Sequence, residues 1–94
     1  MKLIRTRTIQ EIELSNNLIA YVRTKQDSTN IRVDLSVYEY QNPTPEMHLY
    51  SNMKPGNANI EGMIDIYDFL GDEERIQKLW KKHKEDFYKE EKIK

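Results

Sequence analysis

Asn30 to Tyr40 reads Asn-Ile-Arg-Val-Asp-Leu-Ser-Val-Tyr-Glu-Tyr, an alternation that sorts a strand into two faces. Successive strand side chains point to opposite sides, so Ile31, Val33, Leu35 and Val37 share an apolar face while Arg32, Asp34, Ser36, Tyr38 and Tyr40 share a polar one. Leu18 to Lys25 alternates the same way, with Leu18, Ala20 and Val22 inward and Ile19, Tyr21, Arg23 and Lys25 outward. The polar stretch Gln26 to Asn30 between them predicts an antiparallel hairpin. Upstream, Lys2 to Leu14 switches phase: Ile4, Thr6 and Thr8 share one parity, and Ile9, Ile12 and Leu14 disturb it, the pattern of a bulge or a break. Ser15-Asn16-Asn17 then marks a turn.

Gln41-Asn42-Pro43-Thr44-Pro45 ends the pairing, because proline has no backbone donor and restricts the residue before it. Glu46 to Met53 returns as another strand, and Lys54 to Asn59 is the most loop-like stretch of the chain. Ile60 to Tyr67 reads as a last strand or as a strand feeding the helix. From Asp72 the period becomes helical: Ile76, Leu79, Trp80, His83 and Phe87 form one stripe, Asp68 or Asp72 can cap its start, and Glu74 with Lys78 is a favourable i,i+4 pair. The pattern predicts an α+β domain over 1–94: an antiparallel β-meander of four to five strands over about 3–67, one long C-terminal helix over about 72–90, and a frayed tail at 91–94.

Composition narrows the function classes. Ninety-four residues cannot build the deep multi-loop cleft of most enzymes. The absence of cysteine removes thiolate metal sites and cysteine nucleophiles and favours a cytoplasmic setting, and no apolar run approaches the roughly 20 residues of a membrane span. A net charge of −1 argues against a polyanion binder that works by bulk positive charge.

Candidate catalytic groups have plainer explanations. His48 and His83 lack partners at metal-binding spacing, and His83 falls on the apolar stripe beside Trp80 and Phe87. Asp65, Asp68 and the Asp72-Glu73-Glu74 run sit where helix capping accounts for carboxylates, and no glycine-rich phosphate loop is present. No enzyme activity, metal or cofactor is expected; a hydrolase built on Asp65, Asp68 and His48 would require a divalent ion.

The informative constellation is spatial. If the strands pair as read, the face opposite the core collects Tyr21, Arg23, Lys25, Arg32, Tyr38, Tyr40, His48 and Tyr50, with Lys54 in the adjoining loop. Aromatics flanked by Arg and Lys on a sheet stack bases and neutralise phosphates. The same residues suit a protein partner, since Tyr and Arg are enriched at interface hot spots. Two functions follow: a small nucleic-acid-binding protein for single strands, expected to be a homodimer with the Trp80 stripe for packing or dimerisation, or a protein-binding modulator, an inhibitor or adaptor of viral or mobile-element type.

Val33-Asp34-Leu35-Ser36-Val37-Tyr38, Pro43, Glu46-Met47 and Met53-Lys54-Pro55-Gly56 resemble the strand-and-loop region of the positive-cofactor-four-like transcriptional coactivators. The resemblance runs from about Leu18 to Phe87. It implies a four-stranded antiparallel sheet before a C-terminal helix, association of two subunits, and sheet faces that bind single-stranded DNA with little sequence preference. It would put Arg23, Lys25, Tyr40 and Lys54 near basic or aromatic contact positions. Ser36 stands where that family carries a basic residue, Asn57-Ala58-Asn59 replaces its glycine-rich basic loop, and Met1 to Leu14 has no counterpart.

Overall fold

The structure, a computed structural model, describes residues 1–55 and 66–93, with side chains for 1–51 and 66–89. Four strands, β1 (Arg5–Glu13), β2 (Leu18–Asp27), β3 (Asn30–Glu39) and β4 (Met47–Pro55), form one antiparallel sheet in sequential order. A helical turn, α1, spans 66–70, and α2 covers Glu73–Ile93. This is the α+β meander-then-helix architecture expected from the pattern. Of the proposed last strand, Ile60 to Asp65 lies outside the described residues, while Ile66 and Tyr67 are helical.

Turn chemistry explains the hairpins. Asn16 and Asn17 adopt positive φ of 59° and 64°, which asparagine tolerates, and the Leu18 N–H donates to the Ser15 carbonyl at 3.3 Å. The second turn is tighter than expected, only Ser28-Thr29, because Asp27 Oδ1 accepts from the Thr29 N–H, the Thr29 hydroxyl and the Asn30 N–H at 2.8–2.9 Å. Those hydrogen bonds hold the Asp27 carboxyl below its usual pKa.

The break expected within Lys2 to Leu14 does not exist: β1 pairs with β2 without interruption from Arg5↔Asp27 to Glu13↔Ile19. Its phase switch has another cause. β1 is an edge strand whose side chains are exposed apart from half-buried Ile12, so neither parity has to be apolar. The irregularity lies in β4, where the register against β3 shifts between Leu35↔Tyr50 and Ser36↔His48.

The core lies between one sheet face and the helices. Leu18, Ala20, Val22, Val33, Leu35, Val37 and Met47 meet Ile66, Leu70, Ile76 and Trp80, all buried. Asp72 caps α2, its Oδ1 accepting from the Arg75 N–H at 3.2 Å. Glu73 accepts from both the N–H and the hydroxyl of Ser15 at 3.1 Å, and Gln77 donates to the Ser15 carbonyl at 2.8 Å, fastening the helix to the β1–β2 turn. Trp80 is 4% exposed, and its indole donates to Glu39 Oε2 at 2.7 Å. Ile76, Leu79 and Trp80 therefore pack within the subunit, and Trp80 has no surface to offer as a dimerisation contact. His83 closes the same packing: its Nε2–H donates to the Pro45 carbonyl at 2.8 Å, with its ring 5.2 Å from that of Trp80.

Candidate functional site

The helices cover one sheet face; among the described residues, no element covers the other. Register fixes what this second face presents. Arg7, Lys25 and Arg32 stand opposite one another in a row across β1, β2 and β3. The next rows are Ile9, Arg23, Asp34 and Ser51, then Glu11, Tyr21, Ser36 and His48, then Glu13, Ile19 and Tyr38. The face is therefore zoned. Cations gather toward the β2–β3 turn, and tyrosines gather toward the opposite end.

Within the basic zone, Arg32 is anchored. Its Nε donates to Asp34 at 2.9 Å and one of its terminal nitrogens donates to Ser51 Oγ at 2.9 Å. Burial opposes ionisation of Asp34, but the Ser51 hydroxyl and the Arg32 and Arg23 guanidiniums outweigh it and keep the carboxyl below its usual pKa. Arg23 lies 5.5 Å from the Tyr21 ring centroid, a cation–π distance. Lys25 and Arg7 make no ion pair among the described residues. With Ile9, Arg23, Arg32 and Asp34 they line a shallow depression.

In the aromatic zone, Ser36 is fully buried although it belongs to the uncovered face. Its small side chain is flanked in register by Tyr21 and His48, and its Oγ lies 3.0 Å from His48 Nδ1. Tyr38 has its phenol pKa raised by burial first and then by the nearby Glu11, Tyr21 and Tyr40, so it stays a neutral donor at physiological pH. Tyr40 lies just past the end of β3, 60% exposed, where its N–H donates to the Asn17 carbonyl at 2.8 Å. It borders a small hollow with Glu13, Asn17 and Ile19.

The structure thus brings together Tyr21, Arg23, Lys25, Arg32, Tyr38, Tyr40 and His48 on the face predicted for them. Tyr50 is a correction. The β4 irregularity sets it opposite Leu35, and it packs half-buried against the core together with Leu49, while His48 and Ser51 stay on the uncovered face. A strict two-residue alternation through β4 cannot anticipate that shift. Lys54 falls opposite Ile31 in the register, and its side chain lies outside the described residues, as does Asp65. Sequence reasoning missed Arg5, Arg7, Ile9, Glu11 and Glu13. Read by charge rather than hydropathy, these odd positions alternate cleanly with Thr6, Thr8, Gln10 and Ile12.

No family model, curated protein or solved structure matches the chain. Its chemistry is read from the face itself. Among the described residues, no cluster of His, Asp and Glu is arranged to hold a metal ion. Asp72 is engaged as the α2 cap, and His48 is occupied by Ser36 and, at 3.5 Å, by Glu46. None of the described helices is long and apolar enough to cross a membrane.

Proposed function

We propose that the uncovered sheet face binds single-stranded nucleic acid without catalysing a reaction. The observation that carries this reading is the cross-strand row Arg7, Lys25 and Arg32 beside a group of tyrosines. Like charges directly opposite on a sheet repel, so a row of three cations is a local cost that an anion relieves. A phosphate backbone lying along the basic zone would bring bases over Tyr21, Tyr38 and Tyr40, where stacking contributes roughly 1–3 kcal/mol per base. Of the described elements, β2, β3, β4 and α2 fall within the stretch that resembles the coactivators, and β1 lies outside it. In this reading the protein is cytoplasmic and acts as a homodimer.

The direct test is anisotropy of a labelled, unstructured oligonucleotide at about 50 mM salt, where micromolar or tighter binding that weakens steeply with salt is expected. No binding at that salt ends the proposal.

Glu11 and Glu13 on the same face favour a second reading, in which a protein partner docks there as on an inhibitor or adaptor. A stoichiometric protein captured by the wild type and lost with Tyr38→Ala supports that reading; capture unaffected by Tyr38→Ala removes it.

A further inference from the structure

The outer edge of β1, unpaired among the described residues, is self-complementary, and we propose that it pairs with β1 of a second copy, antiparallel about a two-fold axis through Ile9, to make a continuous eight-stranded sheet. This pairing gives the homodimer of the reading above its interface, and it is tested by mass alone, without oligonucleotide.

Backbone polarity comes first. The Leu14 N–H donates to the Leu18 carbonyl at 2.8 Å, and across the other ladder the Tyr40 N–H donates to the Asn17 carbonyl at 2.8 Å. Alternate residues of an antiparallel strand bond to alternate neighbours, so even-numbered positions of β1 serve β2. The N–H and C=O groups of Arg5, Arg7, Ile9, Glu11 and Glu13 therefore point to the open edge. Natural edges are usually protected by proline, lysine, a bulge or short length. β1 is nine residues long, regular in register and without proline or lysine, and its charges, which also guard an edge, are two of each sign and so leave one register with a second copy favourable.

The side chains then select the partner. The strand reads Arg-Thr-Arg-Thr-Ile-Gln-Glu-Ile-Glu, cationic at one end and anionic at the other. Paired antiparallel with itself about Ile9, Arg5 meets Glu13 of the partner subunit, Arg7 meets Glu11 of the partner subunit, and the two Ile9 side chains meet at the axis. On the opposite face, Thr6 would meet Ile12 and Thr8 would meet Gln10. All of the outward backbone groups of β1 find counterparts in this register. A two-residue slip in either direction loses half of the ion pairs and sets Ile9 against Arg7 or Glu11, and a parallel in-register arrangement stacks like charge on like. Ile9 is 61% exposed, and the pairing covers it.

The geometry also bears on the uncovered face. Cross-strand partners share a face, so the two copies would present their Tyr and Arg surfaces on the same side of one sheet. Glu11 and Glu13, the carboxylates that would repel phosphate, are neutralised at the seam together with Arg7 and Arg5, which leaves Arg23, Lys25 and Arg32 as the cations of the face.

Sedimentation equilibrium on the wild type and two charge-reversed chains tests the proposal. Chain one carries Arg5→Glu and Arg7→Glu; chain two carries Glu11→Arg and Glu13→Arg. The wild type is expected at twice the chain mass. Each variant alone should weaken self-association at least about tenfold, and an equimolar mixture should restore a mixed dimer, because the all-acidic edge complements the all-basic one. Restoration also shows that both variants fold. Ile9→Pro removes an edge-facing N–H without touching the β1–β2 ladder, and it should be monomeric with unchanged circular dichroism. A wild type that stays monomeric at about 100 µM, a variant that dimerises alone as well as the wild type, or a mixture that fails to associate overturns the proposal.

Discussion

β2 and β3 show two chemistries on one pair of strands. On the helix side, Ala20, Val22, Leu35 and Val37 are buried to 1% or less, while one residue along each strand, on the other side, Tyr21, Arg23, Asp34 and Tyr38 remain accessible to solvent to differing degrees. The inner face is explained by packing against α2. The outer face has no such explanation, since folding alone does not call for three cations in register. The contrast separates what the fold requires from what a ligand would require.

Substitutions can break the contrast, and the largest effect belongs to the inner face. Trp80→Ala removes the main aromatic of the core and the indole hydrogen bond to Glu39; chemical denaturation should show a loss of about 3–5 kcal/mol. A loss under about 1 kcal/mol would mean that α2 is not the lid of the core.

Glu39→Ala is next. It strands the buried indole N–H, and stability should fall by about 1–3 kcal/mol by the same measurement. Glu39 also gives the pH dependence its sign. The Trp80 hydrogen bond, with Asn42 and Lys84, outweighs burial and holds its pKa below the unfolded value. A depressed carboxylate stabilises the fold above its unfolded pKa, and that contribution is lost as pH falls through the folded pKa. The melting temperature should therefore drop below about pH 4, and less steeply in Glu39→Gln than in the wild type.

The smallest effect on stability belongs to the outer face. Lys25→Ala relieves a cross-strand repulsion and should leave stability within about 0.5 kcal/mol of wild type, or raise it. A loss comparable to that of Glu39→Ala would mean that this face is structural as well.

Much of this was legible in the chain. β2, β3 and the α2 stripe are amphipathic, and burial follows the apolar parity from Leu18 to Val22 and, with Ser36 as the exception, from Val33 to Val37. β1 was harder because hydropathy carries no signal where both faces meet water; its order is written in charge, Arg-x-Arg-x-Ile-x-Glu-x-Glu. Tyr50 was misplaced because a shift of one residue in β4 is a tertiary adjustment that turns the tyrosine toward Leu35. The crowding that buries Ser36 likewise appears only when Tyr21 and His48 arrive from neighbouring strands.

Contact between phosphate and the basic zone of the outer face, as proposed, is read from the salt dependence of oligonucleotide binding. Each phosphate contact on a single strand contributes about −0.7 to the slope of log affinity against log salt, so replacing Arg23 and Lys25 together by alanine should flatten the slope by roughly 1.4. A slope identical to the wild type's would mean that Arg23 and Lys25 do not meet phosphate.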